Sequence, residues 1–167
     1  MKTSTSFQAA PMAAAFVVLS GIVLAIPIIF SVIALGDPRL RVVFLGTAVM
    51  IVVAAFGVWV FYKPTALVVD DTTLTIQFPM RAIEISRDEI AGARVLSRAQ
   101  FRETLGFALR VGIGGLFGVF GYLWSNKLGW VTIYATTTDN WVLIERRNAG
   151  PLILSPKDAE GLARALS

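Results

Sequence analysis

Residues 12–35 read MAAAFVVLSGIVLAIPIIFSVIAL and residues 42–62 read VVFLGTAVMIVVAAFGVWVFY, two runs without a single charge. Only Gly36-Asp37-Pro38-Arg39-Leu40-Arg41 separates them. At about 1.5 Å of helical rise per residue the runs reach roughly 36 and 31 Å, enough for a hydrocarbon core of about 30 Å. The pattern predicts a transmembrane helical hairpin over residues 12–62, with helices 12–35 and 42–62 and a tail of residues 1–11 before them. Ala34-Leu35-Gly36 has the small-x-small form of a cleavage site. The first run far exceeds the usual signal-peptide core of about 7–15 residues, so it is expected to stay as a helix.

Outward from the hairpin the pattern changes. Residues 63–167 alternate polar and apolar positions and suit one small domain. Strands are expected at 65–69 and 72–78, the second with Leu74, Ile76 and Phe78 on one face. A strand at 82–85 follows, then a helical turn signalled by Ser86 and Glu89 in capping-box spacing, then a strand at 90–96. Residues 130–136 and 141–145 read as a hairpin joined by Thr137-Thr138-Asp139-Asn140. A short strand at 151–154 precedes a helix over 156–166, with Ser155 as cap and Pro156 at the first position. Short strands closed by one helix make an all-β barrel or sandwich with a C-terminal capping helix.

Composition excludes several chemistries. The chain has no His and no Cys, which removes Ser-His-Asp and Cys-His catalysis, imidazole or thiolate metal sites and disulfides. No cofactor, no small-molecule substrate and no enzymatic activity are expected. Fifteen basic against 11 acidic residues give a net +4, too little and too scattered for a nucleic-acid footprint. Neither apolar run holds an ionisable residue, which argues against transport through the hairpin itself. Cationic residues are close to balanced across the two sides, Arg39 and Arg41 in the loop against Lys2 and Lys63; the reading taken is both termini in the cytoplasm.

The segment from Gly114 onward, GGLFGVFGYLWSNKLGWVTIYATTTDNWVLIERRNAGPLILSPKDAEGLARAL, resembles the bacterial pleckstrin-homology-like (PH-like) membrane proteins. The shared features are a Gly-aromatic-Gly stretch at 115–121, Tyr134-Ala135-Thr136, the apolar strand at 142–144 and Ser155-Pro156-Lys157-Asp158. The turn Ile85-Ser86-Arg87-Asp88-Glu89-Ile90 and the paired N-terminal helices are similar too. The resemblance implies a PH-like barrel without enzymatic activity. It does not carry the lipid site over, because Asp70-Asp71-Thr72-Thr73 stands at the first hairpin turn, where lipid-reading PH domains place Lys and Arg and where carboxylates would repel phosphate.

Three features are candidates for function. Gly21 with Ala25, and Ala48 with Ala55, are small residues at helical spacing that suit close helix packing, within the hairpin or with a partner. Pro27 reads either as a tolerated irregularity or as a kink shaped for a partner helix. Residues 111–124 carry no charge and hold Leu116, Phe117, Phe120 and Trp124; they fill the core, dip into the bilayer or meet a partner. Gly112-Ile113-Gly114-Gly115 lacks the following Gly-Lys-Ser/Thr and the βαβ setting of a phosphate loop. Arg94, Arg98 and Arg102 recur every four residues, a basic stripe suited to anionic lipid or a solvated face.

These readings describe a multi-pass protein of the bacterial inner membrane acting as an accessory or scaffold subunit. Its expected partners are integral membrane protein subunits, respiratory or photosynthetic complexes among the hosts, and the lipid bilayer. The alternative is a membrane-surface sensor that binds anionic lipid through the arginine stripe.

Overall fold

A computed structural model describes residues 4–36 and 38–167; Lys2 and Asp37, used in the charge count and the loop, lie outside them. Strand β1 (Thr5–Gln8) leads into helices α1 (Ala14–Gly36) and α2 (Arg41–Tyr62). Strands β2 (Ala66–Val69), β3 (Thr73–Gln77) and β4 (Ala82–Ser86) follow, then a 3₁₀ turn (Arg87–Glu89) and β5 (Ile90–Leu96). Helix α3 (Arg98–Leu105) precedes β6 (Ala108–Gly114), β7 (Val119–Ser125), β8 (Gly129–Ala135), β9 (Trp141–Arg146) and β10 (Leu152–Leu154). Helix α4 (Ala159–Leu166) closes the chain.

The two long helices have apolar windows of mean hydropathy 2.8 and 2.4, of which only 17% and 11% are buried. They are long and apolar enough to cross a membrane, and their uncovered side chains rule out the role of core helices. Pro27 and Ala34 of α1 and Ala48 and Ala55 of α2 are buried, at the seven-residue spacing that keeps one stripe in contact. Phe30 and Phe44 meet edge-on at 5.2 Å. Ser31 Oγ donates to the Pro27 carbonyl at 2.8 Å, on the face lined by Ala48 and Val52 of α2. Pro27 is therefore accommodated inside the hairpin.

The strands form two sheets, sandwich-like and not closed into a barrel. One is antiparallel in the order β1-β2-β3-β4; the other runs β5-β9-β10-β8-β7-β6. Between them lie Leu74, Ile76, Ile85, Phe120, Ile144 and Leu162. Helix α3 covers the other face of the larger sheet over Leu105, Leu123, Ile133 and Leu143. Leu74, Ile76 and Phe78 point inward as their alternation requires.

The structure corrects several expectations. Within the N-terminal segment read as a tail, Thr5–Gln8 form β1, which pairs with β2 and completes the first sheet. The strands at 130–136 and 141–145 are not a paired hairpin. Strand β10 lies between them, parallel to β8 and antiparallel to β9. Its Leu152, Ile153 and Leu154 are all buried, and a strand apolar on both faces belongs at the centre of a covered sheet. The last helix begins at Ala159 rather than 156: Asp158 caps it, accepting from Gly161 N at 2.8 Å. Ser155 instead lies buried, its Oγ accepting from Thr136 N at 2.8 Å. The capping-box pattern at Ser86 makes only the 3₁₀ turn, without a side-chain cap. The capping box that forms is Ser97 with Gln100, at the start of α3.

Candidate functional site

The uncharged stretch 111–124 folds into the β6–β7 hairpin, and its tip rests on α1. Gly115 N donates to Gly118 O at 2.9 Å across the turn. Gly118 has φ 153°, and a Cβ there would lie 2.4 Å from the Ala135 carbonyl oxygen, so only glycine fits. Ser20, buried in the second turn of α1, accepts from Phe117 N at 2.8 Å and donates to Gly115 O at 3.4 Å. One hydroxyl thus ties the tip to a helix about 95 residues earlier in the chain. Ser20→Ala is expected to leave the Phe117 N–H unpaired, costing about 1–3 kcal/mol. Amide hydrogen exchange at residues 115–118 should quicken; unchanged exchange there would show that Ser20 does not hold the tip.

Register divides the hairpin into two faces. Leu109 pairs with Trp124, Val111 with Tyr122 and Ile113 with Phe120. Trp124 in turn pairs with Trp130 of β8, and Phe120 with Tyr134. At the tip end this face is core: Phe120 is fully buried. Away from the tip, none of the described residues covers it fully. Phe107, Leu109, Val111, Tyr122, Trp124 and Trp130 are between 38% and 62% exposed. An open cleft of about 340 Å³ between the sheets runs under Tyr122 and Trp130. The opposite face carries Ala108, Arg110, Gly112 and Gly114 and looks toward α1 and α3.

The candidate residues separate accordingly. Phe120 belongs to the core and cannot meet a partner. Leu116 and Phe117 are half-buried at the tip, and Trp124 is exposed. Ala48 and Ala55 are taken up within the hairpin. Gly21 faces outward with open space where a Cβ would stand, and Ala25 is half-buried. The arginine stripe does not form as one surface. Arg94 projects from β5 and pairs with Glu145 at 3.6 Å. Arg98 and Arg102 lie one turn apart on α3. Arg110, the cation on the hairpin, shares a cavity with Arg98. The S-x-x-Q spacing at 97–100 is the signal that would have separated Arg94 from the other two.

At the end of α2, Arg81 braces the domain. Its Nε donates to the Phe61 carbonyl at 2.8 Å, and its guanidinium lies 4.6 Å from the Phe78 ring centre and 5.5 Å from that of Tyr62. Burial pushes the Tyr134 phenol above its usual value, with the nearby Arg81 cation opposing the shift, so the phenol stays neutral at physiological pH. The turn at 70–73 lies at the far end of β2 from α2, with Asp70 N donating to Thr73 O. Among the described residues, no group of three acidic, His or Cys side chains could hold a metal ion.

Neither the curated proteins nor the solved structures contain a match to this chain. The bacterial PH domain family matches residues 65–167, which covers β2 through α4 and leaves α1, α2 and β1 as additions before it. With most of its length matched, and with two sheets and a C-terminal helix where that family's domain should be, the chain belongs to the bacterial PH domain family.

Proposed function

We propose that the protein is a non-catalytic, membrane-anchored binding module, an accessory subunit that docks onto an integral membrane protein of the bacterial inner membrane. The observation that carries this reading is the uncovered aromatic face of the β6–β7–β8 corner. Leu109, Trp124 and Trp130 stand in one cross-strand row, with Val111 and Tyr122 in the next row on the same face. Rows of this size on a soluble face mark contact surfaces, and Trp and Tyr are the side chains that dominate them. The row stands apart from the hairpin tip. The hairpin tip lies beside the second turn of α1, and Trp124 is seven residues further along, roughly 20 Å of strand at about 3.3 Å per residue. A protein projecting from the membrane reaches it. Strand β6 is also a sheet edge, and its unpaired backbone offers a ladder to an added strand.

Orientation follows from charge. Folding brings Arg81 to the end of α2 beside Lys63, and Arg98 and Arg110 to the start of α1. The concentration of cations on that side supports its placement in the cytoplasm.

The test is purification of the full chain from its own membranes in mild detergent. A membrane protein subunit is expected to co-purify, and Trp124→Ser with Trp130→Ser together are expected to release it without unfolding the domain, since both rings are exposed. A monodisperse monomer with no companion subunit would overturn the reading.

A further inference from the structure

The glycines at 112, 114 and 121 shape the second face of the hairpin. Gly112 is paired to Gly121 across β6 and β7, and Gly114 to Val119. Nearer the tip, Gly114 and Gly115 carry no side chains and floor a trough. Phe16 and Leu19 of α1 wall it on one side, Arg98 and Phe101 of α3 on the other, enclosing about 500 Å³. Arg110 lies along this floor. A Cβ at Gly114 would overlap its guanidinium, so the glycine makes room for the cation.

Two cations share this cavity without a counter-charge. Among the described residues, neither the Arg98 nor the Arg110 guanidinium has an ion pair or a hydrogen bond. No acidic side chain lines the space. Asp139, next to the lining residue Thr138, accepts at its Oδ1 from the backbone N–H groups of Arg98 and Asn140. Two forked donors facing one half-enclosed volume match the oxygens of a phosphate.

The apolar wall narrows the source of that phosphate. Helix α1 starts at Ala14, so Leu19 lies about 7–8 Å along it at about 1.5 Å per residue. A 23-residue helix exceeds a hydrocarbon core of about 30 Å by only a few ångströms. Phe16, about 3 Å from the helix start, thus stands at the headgroup boundary and Leu19 about 5 Å inside the acyl region, so the cavity opens at the junction of headgroups and acyl chains. We infer that this cavity binds the phosphate headgroup of one anionic phospholipid from the adjoining leaflet, held by Arg98 and Arg110. Arg94 and Arg102 take no part: the first is paired with Glu145 and the second lies one turn along α3, outside the cavity. The site is also remote from the Asp70-Asp71 turn. It rests on α1 spanning the membrane and is independent of the protein-docking row on the other face.

The experiment is native mass spectrometry of the full chain released from nanodiscs of phosphatidylcholine containing phosphatidylglycerol. One phosphatidylglycerol is expected to remain bound. Arg98→Gln with Arg110→Gln should lower its retention at least tenfold, while Arg94→Gln with Arg102→Gln and the Trp124/Trp130 pair should leave it unchanged. Gly114→Leu, which fills the floor from the other direction, should lower retention as well. Equal retention of phosphatidylcholine, or retention unaffected by loss of both cavity arginines, would overturn the assignment. Displacement of the lipid by inorganic phosphate at equal concentration would assign the cavity to free phosphate and overturn the lipid reading.

Discussion

Phe120→Ala is expected to lower the stability of the β domain by about 3–5 kcal/mol. Phe120 is fully buried where the two sheets and the hairpin meet, within the cluster of Leu74, Ile76, Val142 and Leu154. Its neighbour Tyr134 is braced against Phe78, rings 5.2 Å apart at 70°, so the space cannot close by a simple collapse. Removing the ring leaves both a lost transfer term and a cavity. Thermal unfolding of the full chain in detergent, followed by tryptophan fluorescence, should show a midpoint drop of more than about 10 °C. Phe120→Leu should cost much less, because it returns most of the volume. A midpoint within a degree or two of the parent for the alanine variant would mean that the sheets do not pack as described.

Gly112→Val should be of similar severity for a different reason. Gly112 has φ 147°, and a Cβ there would lie 2.5 Å from the Phe120 carbonyl oxygen and 3.1 Å from Gly121 Cα. Both atoms are backbone and cannot swing aside. The branched side chain is also incompatible with that φ. A cost of about 3 kcal/mol or more is expected from strain and overpacking together, concentrated in the hairpin. Because the β6–β7 pairing carries Trp124 on one face and Arg110 on the other, both the companion subunit and the bound phospholipid should be lost in one step. Retention of either with an unchanged midpoint would show that the glycine pair is not a close approach of backbones. By contrast, Gly129→Ala meets open space, although its φ of 69° still favours glycine.

Much of this architecture was readable from residues alone. Two charge-free runs of more than 20 residues form two long helices, which satisfy every backbone group inside the segment and are long and apolar enough to cross a membrane. Leu74, Ile76 and Phe78 announced a strand with one buried face through simple alternation. The order of strands was not readable. Local pattern shows that residues 141–145 form a strand but not which strand lies beside it. The insertion of β10 between β8 and β9 follows from burying Leu152, Ile153 and Leu154 on both faces, a demand that only the assembled sheet meets. Strand β1 was hidden for a similar reason: Thr5-Ser6-Phe7-Gln8 has little apolar content and becomes a strand only because β2 offers it an edge.

The same division holds for the functional surfaces. The residue types were on view: arginines, glycines and aromatics between 94 and 130. Their spacing along the chain suggested Arg94, Arg98 and Arg102 as a set, since a four-residue interval is one helical turn. The chain changes from strand to helix at Ser97, so the interval loses its meaning there, and Arg110 joins Arg98 by folding instead. Likewise, residues 111–124 look uniformly apolar as text. Register across β6, β7 and β8 sorts them, sending Phe120 into the core and Trp124 to the surface, while the turn between β6 and β7 brings the Phe117 N–H to α1. Hydropathy and periodicity therefore established two helices long and apolar enough to cross a membrane and the β domain after them, because those depend on properties summed along the chain. Which cations share a cavity and which aromatics stay uncovered depends on strands brought together across long sequence separations, and that was set by packing in three dimensions.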